Sequence, residues 1–258
     1  MSVRSAYDPG VPCWVDLSTT DVAAAVDFYS DVLGWRAEMI DDPAAGGYGQ
    51  FYTGDKVVAG VGPLQAEGMP PVWNMYVSTD GAAAVADRVK NAGGAVVAEP
   101  FPVFDEGTMG VFQGPDGSVF SVWQPGNHHG AALVNEPGAF CWNELATRDV
   151  EAATGFYRSV FGWEPQTSSM GEFEYTEWHN GGRSIAGMMA ISPDYPPQVP
   201  SHWMSYFSVA DLDATLARAR EKGATVVVDK VEAPPGPFSI LTDPQGAAFA
   251  VIQLHENS

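Results

Sequence analysis

Cys13-Trp14-Val15-Asp16-Leu17-Ser18-Thr19-Thr20-Asp21-Val22 returns as Cys141-Trp142-Asn143-Glu144-Leu145-Ala146-Thr147-Arg148-Asp149-Val150, 128 residues further on. In the first copy Cys13, Val15 and Leu17 alternate with Trp14, Asp16 and Ser18, the period-two pattern of a strand with one apolar face. Thr20 or Asp21 then caps a helix that runs to about Leu33, and Gly34 stops it.

Outward from this segment the duplication continues. The same shift carries Phe28-Tyr29 to Phe156-Tyr157 and Leu33-Gly34-Trp35 to Phe161-Gly162-Trp163. Tyr48, Phe51, Ala59 and Gly60 return 127 residues on as Tyr175, Trp178, Ala186 and Gly187. Trp73, Tyr76, Arg88 and Gly93 return after 130 as Trp203, Tyr206, Arg218 and Gly223, and Gly114-Pro115-Asp116-Gly117 after 129 as Asp243-Pro244-Gln245-Gly246. The drift marks small loop insertions, and the preserved order marks a whole-chain duplication. Two domains follow, 1–124 and 139–258, joined by a linker over 125–138 with Pro125-Gly126-Asn127-His128-His129-Gly130 at its start.

Each half divides again. In the first, strands are expected at 35–40, 48–53 and 57–64, then Val72–Thr79, a helix over about 81–92, and strands near 95–98, 108–113 and 118–124. The later helix of the second half falls at about 211–222. Gly46-Gly47 and Gly181-Gly182 read as hairpin turns. The pattern is β-α-β-β-β four times, an α+β fold.

Composition bounds the partners. Among 258 residues, 12 Lys and Arg face 32 Asp and Glu, a formal charge of −20, although only 17% of residues are charged. A nucleic-acid surface needs clustered bases to displace counterions, and an acidic membrane attracts the same kind of patch. Neither partner is expected. The acidity reads mainly as surface solubility, compatible with a neutral or cationic ligand. No apolar signal core opens the chain, and no run of ~18 apolar residues would span a bilayer. The expectation is a soluble cytoplasmic protein, monomeric or homodimeric. Cys13 and Cys141, at equivalent positions, read as core thiols.

The FYxxVLGW-like segments (Phe28-Tyr29 with Val32-Leu33-Gly34-Trp35; Phe156-Tyr157 with Val160-Phe161-Gly162-Trp163) and the turns at 114–117 and 243–246 resemble the vicinal oxygen chelate superfamily. That superfamily includes glyoxalase I, extradiol dioxygenases, fosfomycin-modifying enzymes and bleomycin-binding resistance proteins. The resemblance implies tandem glyoxalase/bleomycin-resistance-like domains: four βαβββ units forming two cup-shaped mixed sheets with helices outside. It also implies that a metal, if bound, takes His, Glu or Gln from four strands of a cup floor. Carried onto this chain, those positions hold Trp14, Gly60 or Val61, Asn74 and Ser121 in one cup, and Trp142, Gly187 or Met188, Met204 and Ala250 in the other. None suits a hard or borderline divalent ion, so neither metal nor cofactor is expected.

Strand alternation leaves Trp14, Asp16, Asn74, Tyr76, Ser121 and Trp123 facing the first cup, and Trp142, Glu144, Met204 and Tyr206 the second. Indole and phenol faces offer stacking and cation–π attraction, and Asp16 and Glu144 offer charge for an amine. The expectation is a metal-independent protein of the bleomycin-resistance type that binds an aromatic or cationic metabolite or antibiotic. The alternatives are a lyase, dioxygenase or accessory hydroxylase using Asp16 and Glu144 or a displaced metal site, and a protein whose cups are filled by their own side chains. His128 and His129 read as solvent-exposed linker imidazoles and His202 as a rim residue. His179, in one strand with Glu177, reads as facing ligand or water.

Overall fold

The computed structural model describes residues 2–66, 68–170 and 173–255. The first half runs β1 (Pro12–Thr19), α1 (Val22–Leu33), β2 (Arg36–Met39), β3 (Gly49–Thr53), β4 (Lys56–Pro63), β5 (Val72–Ser78), α2 (Ala82–Asn91), β6 (Ala95–Val103), β7 (Gly107–Gln113) and β8 (Val119–Pro125). The second runs β9 (Ala139–Thr147), α3 (Val150–Phe161), β10 (Glu164–Met170), β11 (Phe173–Asn180), β12 (Arg183–Ala190), β13 (His202–Ser208), α4 (Leu212–Glu221), β14 (Thr225–Val231), β15 (Phe238–Thr242) and β16 (Ala248–Ile252). The four βαβββ units are all present.

Local chemistry sets the helix ends. Asp21 accepts from the Ala24 N–H at 3.0 Å, and Asp149 from the Ala152 N–H at 2.9 Å. Each such cap stabilises its helix by about 1 kcal/mol. Gly34 (φ 72°) and Gly162 (φ 74°) end α1 and α3 in the left-handed region. The strand expected near 95–98 extends to Val103, through Pro100 and Pro102. Proline is tolerated there because β6 is a sheet edge, where a missing N–H breaks no ladder.

The strands form two eight-stranded mixed sheets, β2-β3-β4-β1-β5-β8-β7-β6 and its repeat β10-β11-β12-β9-β13-β16-β15-β14. β1 and β9 lie near the centre of each sheet. Asp16 therefore stands between Gly60 and Asn74, and Glu144 between Gly187 and Met204. The helices lie on the convex faces, outside the cups, where the halves meet: α1 contacts α4, and α2 contacts α3.

The motifs that carried the family resemblance turn out to be the joints between halves. Tyr29 in α1 donates to Asp243 of the second half at 3.0 Å and accepts from the Trp73 indole at 2.9 Å. Its counterpart Tyr157 accepts from Trp203 at 2.9 Å and meets the Ser118 hydroxyl of the first half at 3.1 Å. Trp35 donates to the Gly138 carbonyl and Trp163 to that of Gly10, both at 2.7 Å. These polar atoms are buried, so a satisfied partner across the seam is what permits such large aromatics in the core. One continuous core runs from Val15 and Tyr29 to Phe207 and Phe249.

Candidate functional site

In the first cup Asp16, 7% exposed, is held by three donors. Tyr76 donates to it at 2.8 Å, Asn74 at 2.9 Å and Tyr48 at 3.1 Å. Tyr48 in turn accepts from the Trp14 indole at 3.3 Å. Ser121 lies beside Tyr76 in register, and Trp123 follows on the same face of β8. Burial raises the Asp16 carboxyl above its ordinary range, and the hydrogen bonds from Asn74, Tyr76 and Tyr48 partly offset that rise. Burial and the neighbouring carboxylate push both phenols well above 10.

The second cup repeats the arrangement. Trp142 donates to the Tyr175 hydroxyl at 3.0 Å, and Tyr206 donates to Glu144 at 3.0 Å. Tyr175 stands beside Glu144, whose carboxyl burial again raises and Tyr175 and Tyr206 partly lower. Met204 stands where the first cup has Asn74, so the third donor is missing. The structure thus places Trp14, Asp16, Asn74, Tyr76, Ser121 and Trp123 on one concave face and Trp142, Glu144, Met204 and Tyr206 on the other. Cys13 is buried and Cys141 half-buried, with Sγ atoms 3.5 and 3.4 Å from the Tyr76 and Tyr206 carbonyls.

Sequence reasoning overlooked Tyr48 and Tyr175, although the duplication contained both. Each phenol crosses a glycine to reach its carboxylate. A Cβ at Gly60 would overlap the Tyr48 hydroxyl, and one at Gly187 would overlap that of Tyr175. The co-repetition of Tyr48 with Gly60 and Tyr175 with Gly187 was the available signal.

His128 departs from the exposed linker residue expected. Its ring stands edge-on to Trp14, centroids 4.4 Å apart, and 5.7 Å from Trp123. The Trp123 indole donates to the His128 carbonyl at 2.8 Å, and the His128 N–H reaches the Glu106 carbonyl at 3.1 Å. Backbone pairing folds the linker onto the rim of the cup, and burial of the ring pulls its pKa down to about 4. Its buried Nε2 makes no hydrogen bond among the described residues.

The donor set does not fit a divalent metal. Among the described residues no three His, Cys, Asp or Glu side chains come together as a ligand cluster. The carboxylate of each floor is already engaged by phenols. Two surface depressions, ≈ 330 and ≈ 520 Å³, lie outside the cups, one beside Arg88 and Arg158 and one beside Asp149 and Phe156.

Two tandem βαβββ pairs, each with a cup, define a class, and comparison names it. The model of the Glyoxalase/Bleomycin resistance protein/Dioxygenase superfamily matches residues 13–122 and 134–251. The chain belongs to that superfamily. It is 38% identical over 264 residues to "Anthracycline biosynthesis protein DauV" of Streptomyces sp. (strain C5), covering 97% of this chain and 95% of that protein. It is 39% identical over 259 residues to "Putative glyoxylase CFP32" of Mycobacterium tuberculosis (strain CDC 1551 / Oshkosh), covering 98% of each. Its fold is similar to that of the Mn(II)-bound glyoxalase from Novosphingobium aromaticivorans, with a TM-score of 0.65 at 16% identity, over 100% of this chain and 87% of that one.

Proposed function

We propose that the protein binds a small aromatic molecule carrying a cationic or hydrogen-bonding group, without a metal, through the Trp–Tyr–carboxylate–Tyr constellation of its cups. The observation that carries this reading is the retention of a carboxylate among aromatic rings in both halves, buried at Asp16 and half-buried at Glu144. A purely packed floor would be stabilised by an apolar residue there, because a buried acid costs free energy that its hydrogen bonds only partly return. Indole and phenol rings beside a carboxylate suit a planar ring with an amine. The DauV relative, named for anthracycline biosynthesis, supports an aromatic ligand class.

Titration with a panel of planar aromatic amines and their uncharged counterparts, followed by tryptophan fluorescence and calorimetry, tests the reading. Saturable binding of the amines, weakened in Glu144→Gln, is expected; a panel that leaves fluorescence and heat unmoved overturns it. A second reading rests on the raised Asp16 and Glu144 carboxyls. A carboxyl that burial makes hold its proton more tightly than usual can serve as a general acid, so turnover of a bound panel member, lost in the Asn and Gln variants, would favour an enzyme.

A further inference from the structure

The two cups have diverged at matching positions, and the differences point one way. Across the second sheet Gln166, Glu177, Gly187, Glu144 and Met204 stand in register on adjacent strands. Side chains in such a row share a face, so Glu177 and Glu144 flank Gly187 on the concave side. The Tyr175 hydroxyl lies over that glycine, and burial, then the charges of Glu144 and Glu177, push its pKa up. In the first cup the residue matching Glu177 is Gln50, and the residue matching His179 is Tyr52, whose hydroxyl donates to Gln50 at 2.9 Å. A neutral, mutually satisfied pair has thus become an ionisable one. His179 Nε2 lies 3.6 Å from the Glu177 carboxylate, and neither buried ring nitrogen makes a hydrogen bond among the described residues.

Access differs as well. Asp16 is buried under three donors and His128 closes on Trp14, whereas Glu144 and Trp142 are half-buried. Ile252 replaces the bulk of Trp123. Met204, Tyr206, Ala250 and Ile252 form a separate apolar cluster beside Trp142 and Phe238. The second cup is therefore amphipathic, with acids and an imidazole on one wall and apolar side chains on the other.

We infer that the second cup alone takes the small molecule: Glu144, Glu177 and His179 receive its cationic head, and Trp142, Met204 and Tyr206 receive its aromatic ring. The first cup keeps the same constellation, but the His128 ring packed on Trp14 and Trp123 bars the ligand from it. Glu144 keeps acceptor capacity that Asp16 has spent on Asn74, and a half-buried carboxylate with spare lone pairs beside aromatic rings can take a donor from outside.

This rests on the binding reading, and the test separates the two. The probe is 9-aminoacridine, a planar aromatic cation, titrated into the full chain. One equivalent is expected to bind, with affinity at least tenfold weaker in Glu177→Gln and in His179→Phe, and within twofold of the wild type in Gln50→Leu. Trp142→Phe is expected to reduce the tryptophan quenching that Trp14→Phe retains, and circular dichroism confirms that each variant is folded. Two equal equivalents, or weakening in Gln50→Leu without weakening in Glu177→Gln, would overturn the assignment of the cup while leaving the binding reading intact. No binding to the wild type would overturn both.

Discussion

Replacing Asp16 with Asn changes how stability depends on pH. Burial raises the Asp16 carboxyl in the folded chain above its unfolded value of about 4. The folded chain therefore holds a proton that the unfolded chain releases. The stability this confers is complete below the ordinary carboxylate range and is lost as pH rises through the folded value. Within that window each pH unit costs the wild type about 1.4 kcal/mol. Asp16→Asn carries no such group, so its stability relative to the wild type is expected to climb by that slope from about pH 4 and then level off. Glu144→Gln follows the same course, because burial raises Glu144 too. The exposed Asp31 and Asp55, whose carboxyls Lys and Arg neighbours lower, shift stability oppositely but cancel in the difference between proteins. Equilibrium urea denaturation from pH 4 to 8 measures that difference. A flat difference, or one that falls as pH rises, would show that the hydrogen bonds outweigh desolvation and that the carboxylates are comfortably charged.

Tyr29→Phe leaves Asp243 Oδ2 and the Trp73 indole without the hydroxyl that joins them, and at about 1–3 kcal/mol for each stranded group a loss of about 2–6 kcal/mol is expected. Urea midpoints at neutral pH check it, and a loss under about 0.5 kcal/mol would contradict the role assigned to the joint. Gly187→Ala drives the Tyr175 hydroxyl off Glu144 and is expected to destabilise by about 1–3 kcal/mol, whereas Gly155→Ala, in α3 with open space around its Cα, is expected to stabilise by about 0.5–1 kcal/mol. Thermal melts of the two variants should move in opposite directions. His128→Ala uncovers Trp14 and is expected to increase acrylamide quenching of tryptophan; an identical rise in His129→Ala would refute the specific contact.

Much of the fold was legible because it rests on local rules repeated four times. Strand alternation separated Trp14, Asp16 and Ser18 from Cys13, Val15 and Leu17, and the same rule placed Asn74, Tyr76, Ser121 and Trp123. Asp21 and Gly34 bounded α1 through capping and a left-handed stop. Strand β6 ran longer than its pattern suggested, because tolerance of Pro100 and Pro102 depends on being at a sheet edge, which only the strand order reveals.

The sequence by itself determined the duplication, the α+β units and the inward-facing set, since periodicity and spacing are properties of neighbouring residues. Tertiary structure decided what those residues do to one another. Tyr48 and Tyr175 reach their carboxylates only because parallel pairing of β1 with β4 and β9 with β12 sets a glycine beside each acid. His128 closes the first cup only because the linker pairs back onto the loop at Glu106. The Phe-Tyr motifs join the halves only because each tyrosine lies opposite a turn more than a hundred residues from its helix or more than thirty, according to the half. Contacts between residues distant in sequence are set by how the strands pair and how the convex faces pack, and one copy of a repeat does not disclose where the other will sit.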